Sequence, residues 1–274
     1  MRRQGRRAAV WLTACLLLAG CQQHASSAPV LHVDRPTALV DQRLRITVSG
    51  LAEGLEVTVH AQATDHSNQD WSSWARFTAG GDGTVDLATA APVAGTYAGA
   101  DPMGLLWSLQ PPSGRDPRTT DFDWYTKEPL PITLTARAEG GRTATQQLVR
   151  LRVAAGVRRG PLREHGLVGT LYTTTPRRPR PTVLVLGGSD GGVPESTAEL
   201  LASHGYAALA LGYFGAPGLP RELSGIPLEY FARAIAWLHE QPEAGGDQIL
   251  VRASPEAASW RCCSPRPTRT RSTA

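Results

Sequence analysis

Residues 182–192 read TVLVLGGSDGG, an uninterrupted apolar run that ends in a glycine-rich loop. Val183 to Leu186 are apolar at every position, which is typical of a strand that is buried on both faces of a parallel sheet. The glycines that follow let the backbone turn sharply and approach a ligand closely. This stretch therefore predicts a parallel sheet, and the surrounding sequence has to supply its helices and other strands.

The sequence on the C-terminal side supplies them. A helix is predicted from Val193 to about His204, with Pro194 in its first turn and Gly205 at its C-terminal cap. A buried strand follows at 206–214. A second helix is predicted at 228–241, where Tyr230, Ile235 and Leu238 are among the apolar positions, and a third strand begins at 248. Alternating strands and helices predict a doubly wound α/β domain, which we assign to residues 156–251.

The loop GGSDGG has two interpretations. It matches neither the dinucleotide fingerprint G-x-G-x-x-G nor a P-loop. In an α/β-hydrolase, the loop after such a strand gives a backbone N–H to the oxyanion hole, which makes Gly188, Ser189 and Asp190 the candidate oxyanion residues. The alternative is a tight turn without a catalytic role, and the loop alone leaves both open.

The region before it, residues 30–155, is rich in short strands. Leu44, Ile46 and Val48 alternate with polar residues, as half-buried strands do. Several such runs predict an antiparallel β-sandwich, with a hairpin-type turn at 80–83. We expect three aromatic residues to pack in its core or at its rim, with ligand stacking as the alternative: Trp71, Trp74 and Phe77.

The N-terminus has the features of an export signal. A basic segment, MRRQGRR, precedes an apolar run that is too short to span a bilayer comfortably, and this run ends in Leu18-Ala19-Gly20-Cys21. The ending resembles the bacterial lipobox. It predicts a lipoprotein signal peptide over residues 1–20, a lipid on Cys21, a tether over 21–29 and a membrane-anchored place in the cell envelope. Gln22 suits an outer-membrane destination, and the alternative is a plain secretory peptide.

Composition excludes some partners. The formal net charge is +4, but Lys127 is the one lysine and the arginines are scattered. Nucleic-acid binding needs a basic patch or stripe, so we expect no nucleic-acid partner. Residues 22–261 contain no cysteine, and no Cys or His follows Cys262-Cys263. We therefore expect no metal site and no cofactor.

The sequence resembles the acyl-CoA thioester hydrolase/bile acid-CoA:amino acid N-acyltransferase family over about residues 30–251. The resemblance implies a β-sandwich followed by an α/β-hydrolase domain, with a Ser or Cys, Asp and His triad that attacks acyl-CoA thioesters. The acyl group would pass to water or to an amino acid amine. The matching segments are ALVDQRLRITVSGL (38–51), WSSWARFTA (71–79), GTVDL (83–87), YAGADPMGLLWSL (97–109), LREHGLVGTLY (162–172), VLVLGGSDGG (183–192) and LLASHGYAALALGYFG (200–215).

The tail, residues 252–274, departs from that family. A G-x-[SC]-x-G elbow is expected after the third strand, whereas Ser254 lies in R-A-S-P-E without a flanking glycine. A one-base shift from Arg252 onward permits G, an apolar residue, S, R and G, followed by G-E-L-A-L-L-L-A. The leucine drawn from Cys262-Cys263 is forced by the genetic code. We therefore interpret the tail as out of frame and disordered; a natural C-terminus and a relative that lost its site are the alternatives.

Two hypotheses about function follow. The first is an acyl-CoA thioester hydrolase or acyltransferase of which this chain is a catalytically incomplete version, because His165 and His204 match a linker and a helix end rather than the missing triad. The second is a non-enzymatic, lipid-anchored envelope protein whose β-sandwich is a binding module. Acyl-CoA is cytosolic, so an exported enzyme would act on another ester, thioester or lactone.

Overall fold

The computed structural model describes residues 28–116, 119–122, 129–175, 181–244 and 248–253. The part up to Leu151 is built mainly of strands, with a short α-helix, α1, at Gly104–Trp107 and a 3-10 turn at Glu139–Gly141. Its strands are β1 (Val30–Val33), β2 (Thr37–Leu39), β3 (Ile46–Ser49), β4 (Glu56–Thr64), β5 (Asp70–Thr78), β6 (Val85–Asp86), β7 (Ala94–Gly95), β8 (Leu130–Ala138) and β9 (Thr143–Leu151).

These strands form two sheets that share one core. One sheet has the order β1-β3-β6 and the other β2-β9-β8-β4-β5-β7. Buried and exposed residues alternate strictly along β5, as the two faces of a strand require. Ile46 and Val48 of the first sheet and Phe77 and Leu134 of the second belong to the same buried cluster. The pairs are antiparallel except β2 with β9, which is parallel.

Two details of the prediction for this region need correction. The turn at 80–83 is present, with Gly83 N–H donating to the Gly80 carbonyl at 2.9 Å, but it is not a hairpin. It links β5 to β6, which belong to opposite sheets, so the chain crosses between layers there. Trp71 and Phe77 are buried as expected, whereas Trp74 is on the other face of β5 and is 40% exposed.

The second part is a five-stranded sheet. Its strands are β10 (Val157–Leu162), β11 (Val168–Thr174), β12 (Thr182–Leu186), β13 (Ala207–Gly212) and β14 (Ile249–Ala253), in the order β10-β11-β13-β12-β14. β12 is parallel to both of its neighbours, β13 and β14. β11 is antiparallel to β10 and to β13. The parallel strands predicted from the apolar runs are therefore confirmed, and β10 and β11 are additions to them.

Helices cover both faces of this sheet. Helix α2 (Glu195–Ser203) packs on the face that presents Val183 and Val185, and helix α3 (Leu228–Glu240) packs on the face that presents Leu184. Gly205, just after α2, has a φ of 91°, which favours glycine at the C-terminal cap. Pro194 is the N-cap residue rather than part of the first turn.

The segment around α1 closes one side of the sandwich. Gly104 is buried against the ring of Tyr97, and a Cβ atom at this position would overlap the ring carbons. Ser73 Oγ donates to the Leu105 carbonyl at 2.5 Å, which fixes the segment to β5. Close packing around Gly104 therefore explains part of the sequence pattern ADPMGLLWS.

We expect Gly104→Ala to lower the free energy of unfolding by about 1–3 kcal/mol, because overpacking forces the Tyr97 ring to move. Urea denaturation measures this change. Gly160→Ala is the matched control, since its Cβ would lie 3.7 Å from the nearest heavy atom, the Leu171 carbonyl oxygen. Equal stability of the two variants would contradict the packing argument.

Candidate functional site

The glycine-rich loop lies at the carboxyl edge of the five-stranded sheet. It follows Leu186, which pairs with Leu211 on β13 and with Ala253 on β14. The C-terminal ends of β12, β13 and β14 therefore lie at the same edge of the sheet. Ligands of open α/β sheets bind outside the carboxyl ends of the strands, so this edge is the candidate site.

The loop is held by contacts with the segment after β13. Gly192 N–H donates to the Phe214 carbonyl at 2.8 Å, and the Tyr213 hydroxyl donates to the Gly187 carbonyl at 2.9 Å. Gly191 has a φ of 66°, and a Cβ there would approach the Phe214 carbonyl oxygen to 3.0 Å. Glycine is thus required at 191 by both conformation and space.

The three candidate oxyanion residues lie together in this loop. Among the described residues, the backbone N–H groups of Gly188, Ser189 and Asp190 have no recorded hydrogen-bond acceptor. The Ser189 and Asp190 side chains are exposed. Solvent can reach these exposed positions, so the N–H groups are accessible to an oxygen atom of a ligand.

Other residues singled out from the sequence lie elsewhere. Cys21, Ser254 and the pair Cys262-Cys263 are outside the described residues. His165 is exposed in the tight turn that links β10 to β11. His204 does end α2, and its Nε2 lies 2.7 Å from Asp41 Oδ2, so it contacts the first part of the chain.

Sequence reasoning missed a polar network that fixes α2. Arg159 Nη2 and Thr170 Oγ1 both donate to Glu195 Oε1, at 2.6 and 2.7 Å. The Tyr172 hydroxyl donates to Glu199 Oε1 at 3.1 Å. Burial raises the pKa of Tyr172. The network ties the first turns of α2, next to the glycine-rich loop, to β10 and β11. Its sequence signal was two glutamates four positions apart.

Two cavities lie away from the loop, each of about 480 Å³. The first is at the opposite edge of the five-stranded sheet, where β13 begins at Ala207. The second opens in the sandwich, beside α1 and Arg150. In the described part of the chain there is no cluster of His, Cys, Asp and Glu that could hold a metal ion. Within those same residues, no helix is both long and apolar enough to cross a membrane.

Comparison with known proteins agrees with the segments quoted above. Residues 41–164 match the family described as acyl-CoA thioester hydrolase/BAAT N-terminal region. Acyl-coenzyme A thioesterase 6 of Mus musculus is 35% identical over 218 residues, covering 76% of this chain and 50% of the relative. Human acyl-coenzyme A thioesterase 1 is 34% identical over 214 residues, which cover 76% of this chain and 50% of the relative. Peroxisomal succinyl-coenzyme A thioesterase of Mus musculus is 32% identical over 214 residues, with the same coverage.

The chain belongs to the acyl-CoA thioester hydrolase/BAAT family. It spans about half the length of the curated relatives it matches. Among solved structures, macromomycin aligns with 45% of the chain at 16% identity and a TM-score of 0.25, a likeness too weak to show a shared fold.

Proposed function

We propose that this chain represents an acyl-CoA thioester hydrolase or acyltransferase-like α/β-hydrolase, in a catalytically incomplete version. The observation that supports the proposal best is the loop at the carboxyl edge of β12, with its three N–H groups of Gly188, Ser189 and Asp190. Backbone donors without a protein acceptor, at the functional edge of an α/β sheet, suit an oxygen atom that becomes negatively charged.

The topology agrees with the α/β-hydrolase assignment. In chain order β12 is the third strand of the sheet, and α2 is the helix after it. In α/β-hydrolases, the loop between these two elements gives an N–H to the oxyanion hole. β14 is the fifth strand in chain order, and it lies beside β12 with Leu186 opposite Ala253. A nucleophile on a turn directly after β14 would therefore lie next to the oxyanion loop.

The proposed chemistry has two stages. A Ser or Cys nucleophile, deprotonated by a histidine that an acidic residue orients, attacks the thioester carbonyl. The resulting oxyanion accepts hydrogen bonds from the loop, and the C–S bond breaks to release the thiol with a proton from the histidine. Water, or an amine in an acyltransferase, then attacks the acyl-enzyme and regenerates the nucleophile. The described residues supply the loop; the nucleophile, acid and histidine are expected from the shifted frame.

The substrate class follows from the relatives, whose names specify acyl-coenzyme A or succinyl-coenzyme A. We extend this to acyl-CoA or, for an exported enzyme, to another ester or thioester. The test is release of thiol or acid from acyl-CoA and activated esters by the protein with its frame restored. A second candidate, a non-enzymatic module that binds ligands through its sandwich, is favoured by the cavity beside Arg150.

Anchoring in the cell envelope is a further part of the proposal and rests on Leu18-Ala19-Gly20-Cys21. We expect a fatty acid fed to the cells to label the protein, because the Cys21 thiol is the acylated group. Cys21→Ala should abolish the label, while Cys15→Ala, in the predicted signal peptide, should retain it. A labelled Cys21→Ala protein would contradict lipid attachment at this residue.

A further inference from the structure

The cavity in the sandwich combines an apolar wall with a buried positive charge. Its apolar lining comes mainly from the α1 segment and from β8: Val40, Met103, Leu106, Trp107, Leu109, Phe122, Leu130 and Ile132. Trp107 is 60% exposed at the rim, so the cavity is accessible from solvent. Its volume, about 480 Å³, lies in the range of small-molecule sites.

The positive charge is Arg150, which takes an inward-facing position on β9. Leu148, two positions earlier, is buried on the same face, and Arg150 itself is only 3% exposed. Its Nη2 donates to the carbonyls of Val40 and Gln42, at 2.9 and 2.8 Å. Two carbonyls orient the guanidinium but do not neutralise it.

The second terminal nitrogen of Arg150 has no partner. Nη1 is buried and makes no hydrogen bond. Burial lowers the pKa of Arg150, and the negative charge of Asp41 opposes that effect. Asp41 is itself engaged with His204 Nε2 at 2.7 Å. A guanidinium stays protonated in proteins, so a residue that lines the cavity carries a charged group with one unsatisfied donor.

We propose that the sandwich binds an apolar chain that ends in a carboxylate, such as a medium-chain fatty acid. The carboxylate accepts a hydrogen bond from Arg150 Nη1, and the chain lies along the apolar lining beside Trp107. A carboxylate matches the orphan donor in charge, and the alkyl chain matches the apolar lining. The proposal goes beyond the thioesterase function, because this site lies in the sandwich. Helix α2 connects the two parts of the chain. It begins shortly after the glycine-rich loop, and His204 at its C-terminal cap contacts Asp41 in the sandwich part.

Binding of dodecanoate to the purified full chain, measured by calorimetry below the micelle concentration, tests the proposal. We expect one site, and dodecanoate should bind about 10- to 100-fold more tightly than dodecanol, because only the acid engages the buried cation. Each methylene between octanoate and dodecanoate should improve the affinity about fourfold. Equal affinity for acid and alcohol, or no binding of either, would overturn the proposal.

Arg150→Met retains much of the apolar stem and removes the charge. We expect it to bind dodecanoate about as weakly as the unaltered chain binds dodecanol. Arg137→Met, an exposed arginine on β8 of the same sheet, is the matched control and should bind normally. Arg150→Met could fail to fold, because the Val40 and Gln42 carbonyls lose their donor. In that case the comparison of dodecanoate with dodecanol on the unaltered chain still tests whether the site recognises a carboxylate. Unchanged binding by a folded Arg150→Met would contradict the assignment of Arg150. No turnover is measured, so the result is independent of the thioesterase proposal.

Discussion

A one-base shift of the reading frame after codon 251 is expected to convert an inactive chain into a thioester or ester hydrolase with a kcat on the order of 1–10³ s⁻¹. The shifted frame permits a serine flanked by glycines directly after β14, beside the glycine-rich loop. The chain as written should show no turnover above background. Release of free thiol from acyl-CoA thioesters, and of acid from activated esters, measures the change.

The same shift is expected to improve solubility. β14 is paired on one side only among the described strands, and its Leu250 and Val251 are 50% and 59% exposed. An exposed apolar edge strand is an aggregation site, and a helix or strand from the continued sheet would cover it. Size-exclusion chromatography of both forms measures this effect.

Two substitutions control the frame experiment. Replacing the serine between the new glycines with alanine should lower kcat by roughly 10⁴- to 10⁶-fold, because the nucleophile is lost. Ser254→Ala in the chain as written should change nothing. Turnover by that chain which Ser254→Ala removes would refute the frame interpretation. A stop codon within a few codons of the shift, or an inert product, would favour the binding-module function.

Removing a backbone N–H from the glycine-rich loop should have the second-largest effect on catalytic activity. In the shifted-frame enzyme, Ser189→Pro or Asp190→Pro deletes one backbone N–H each. At least one of the two should lower kcat by about 10²- to 10³-fold with little change in KM, because the donor acts on the transition state. Steady-state kinetics on one acyl-CoA substrate measures both constants.

Ser189→Ala and Asp190→Ala are the matched controls, since they remove the side chains and retain the N–H groups. Both side chains are exposed, so these variants should keep kcat within a few fold. Thermal unfolding of all four variants shows whether proline has disturbed the loop, because proline also restricts the residue before it. Loss of activity in the alanine variants equal to that in the proline variants would assign the effect to the side chains instead.

Strands buried on both faces were the easiest part of the fold to predict. The apolar run at 183–186 gave β12, and the glycine at 205 marked the end of α2. Strand β10 was harder, because Val157–Leu162 reads VRRGPL and has Gly and Pro where a strand usually has neither. It is tolerated because β10 is an edge strand. The pairing of strands was also hard to predict. The turn at 80–83 has the residue types of a hairpin turn, but β5 and β6 on either side of it belong to opposite sheets, which only the tertiary fold shows.

The two candidate sites, the glycine-rich loop and the cavity beside Arg150, also differ in how far the sequence predicts them. The glycine-rich loop could be found from the sequence because glycine has a restricted set of uses next to a buried strand. Arg150 could not, because QQLVRLRV allows either face of β9 to be the inner one, and arginine at an exposed position is the ordinary expectation. Its burial follows from hydrogen bonds to Val40 and Gln42, residues distant in sequence.

The parallel pairing of β2 with β9 sets the order in which the sandwich can fold. Arg150 reaches the Val40 carbonyl across 110 positions of the chain. A ribosome releases β1 to β8 before it releases the strand that β2 pairs with. Closing so long a loop costs conformational entropy before any contact is gained, and folding slows as contacts become more distant in sequence. The sandwich can thus become complete only after residue 151 has emerged, and until then the inner faces of β1 to β8 lack part of their covering.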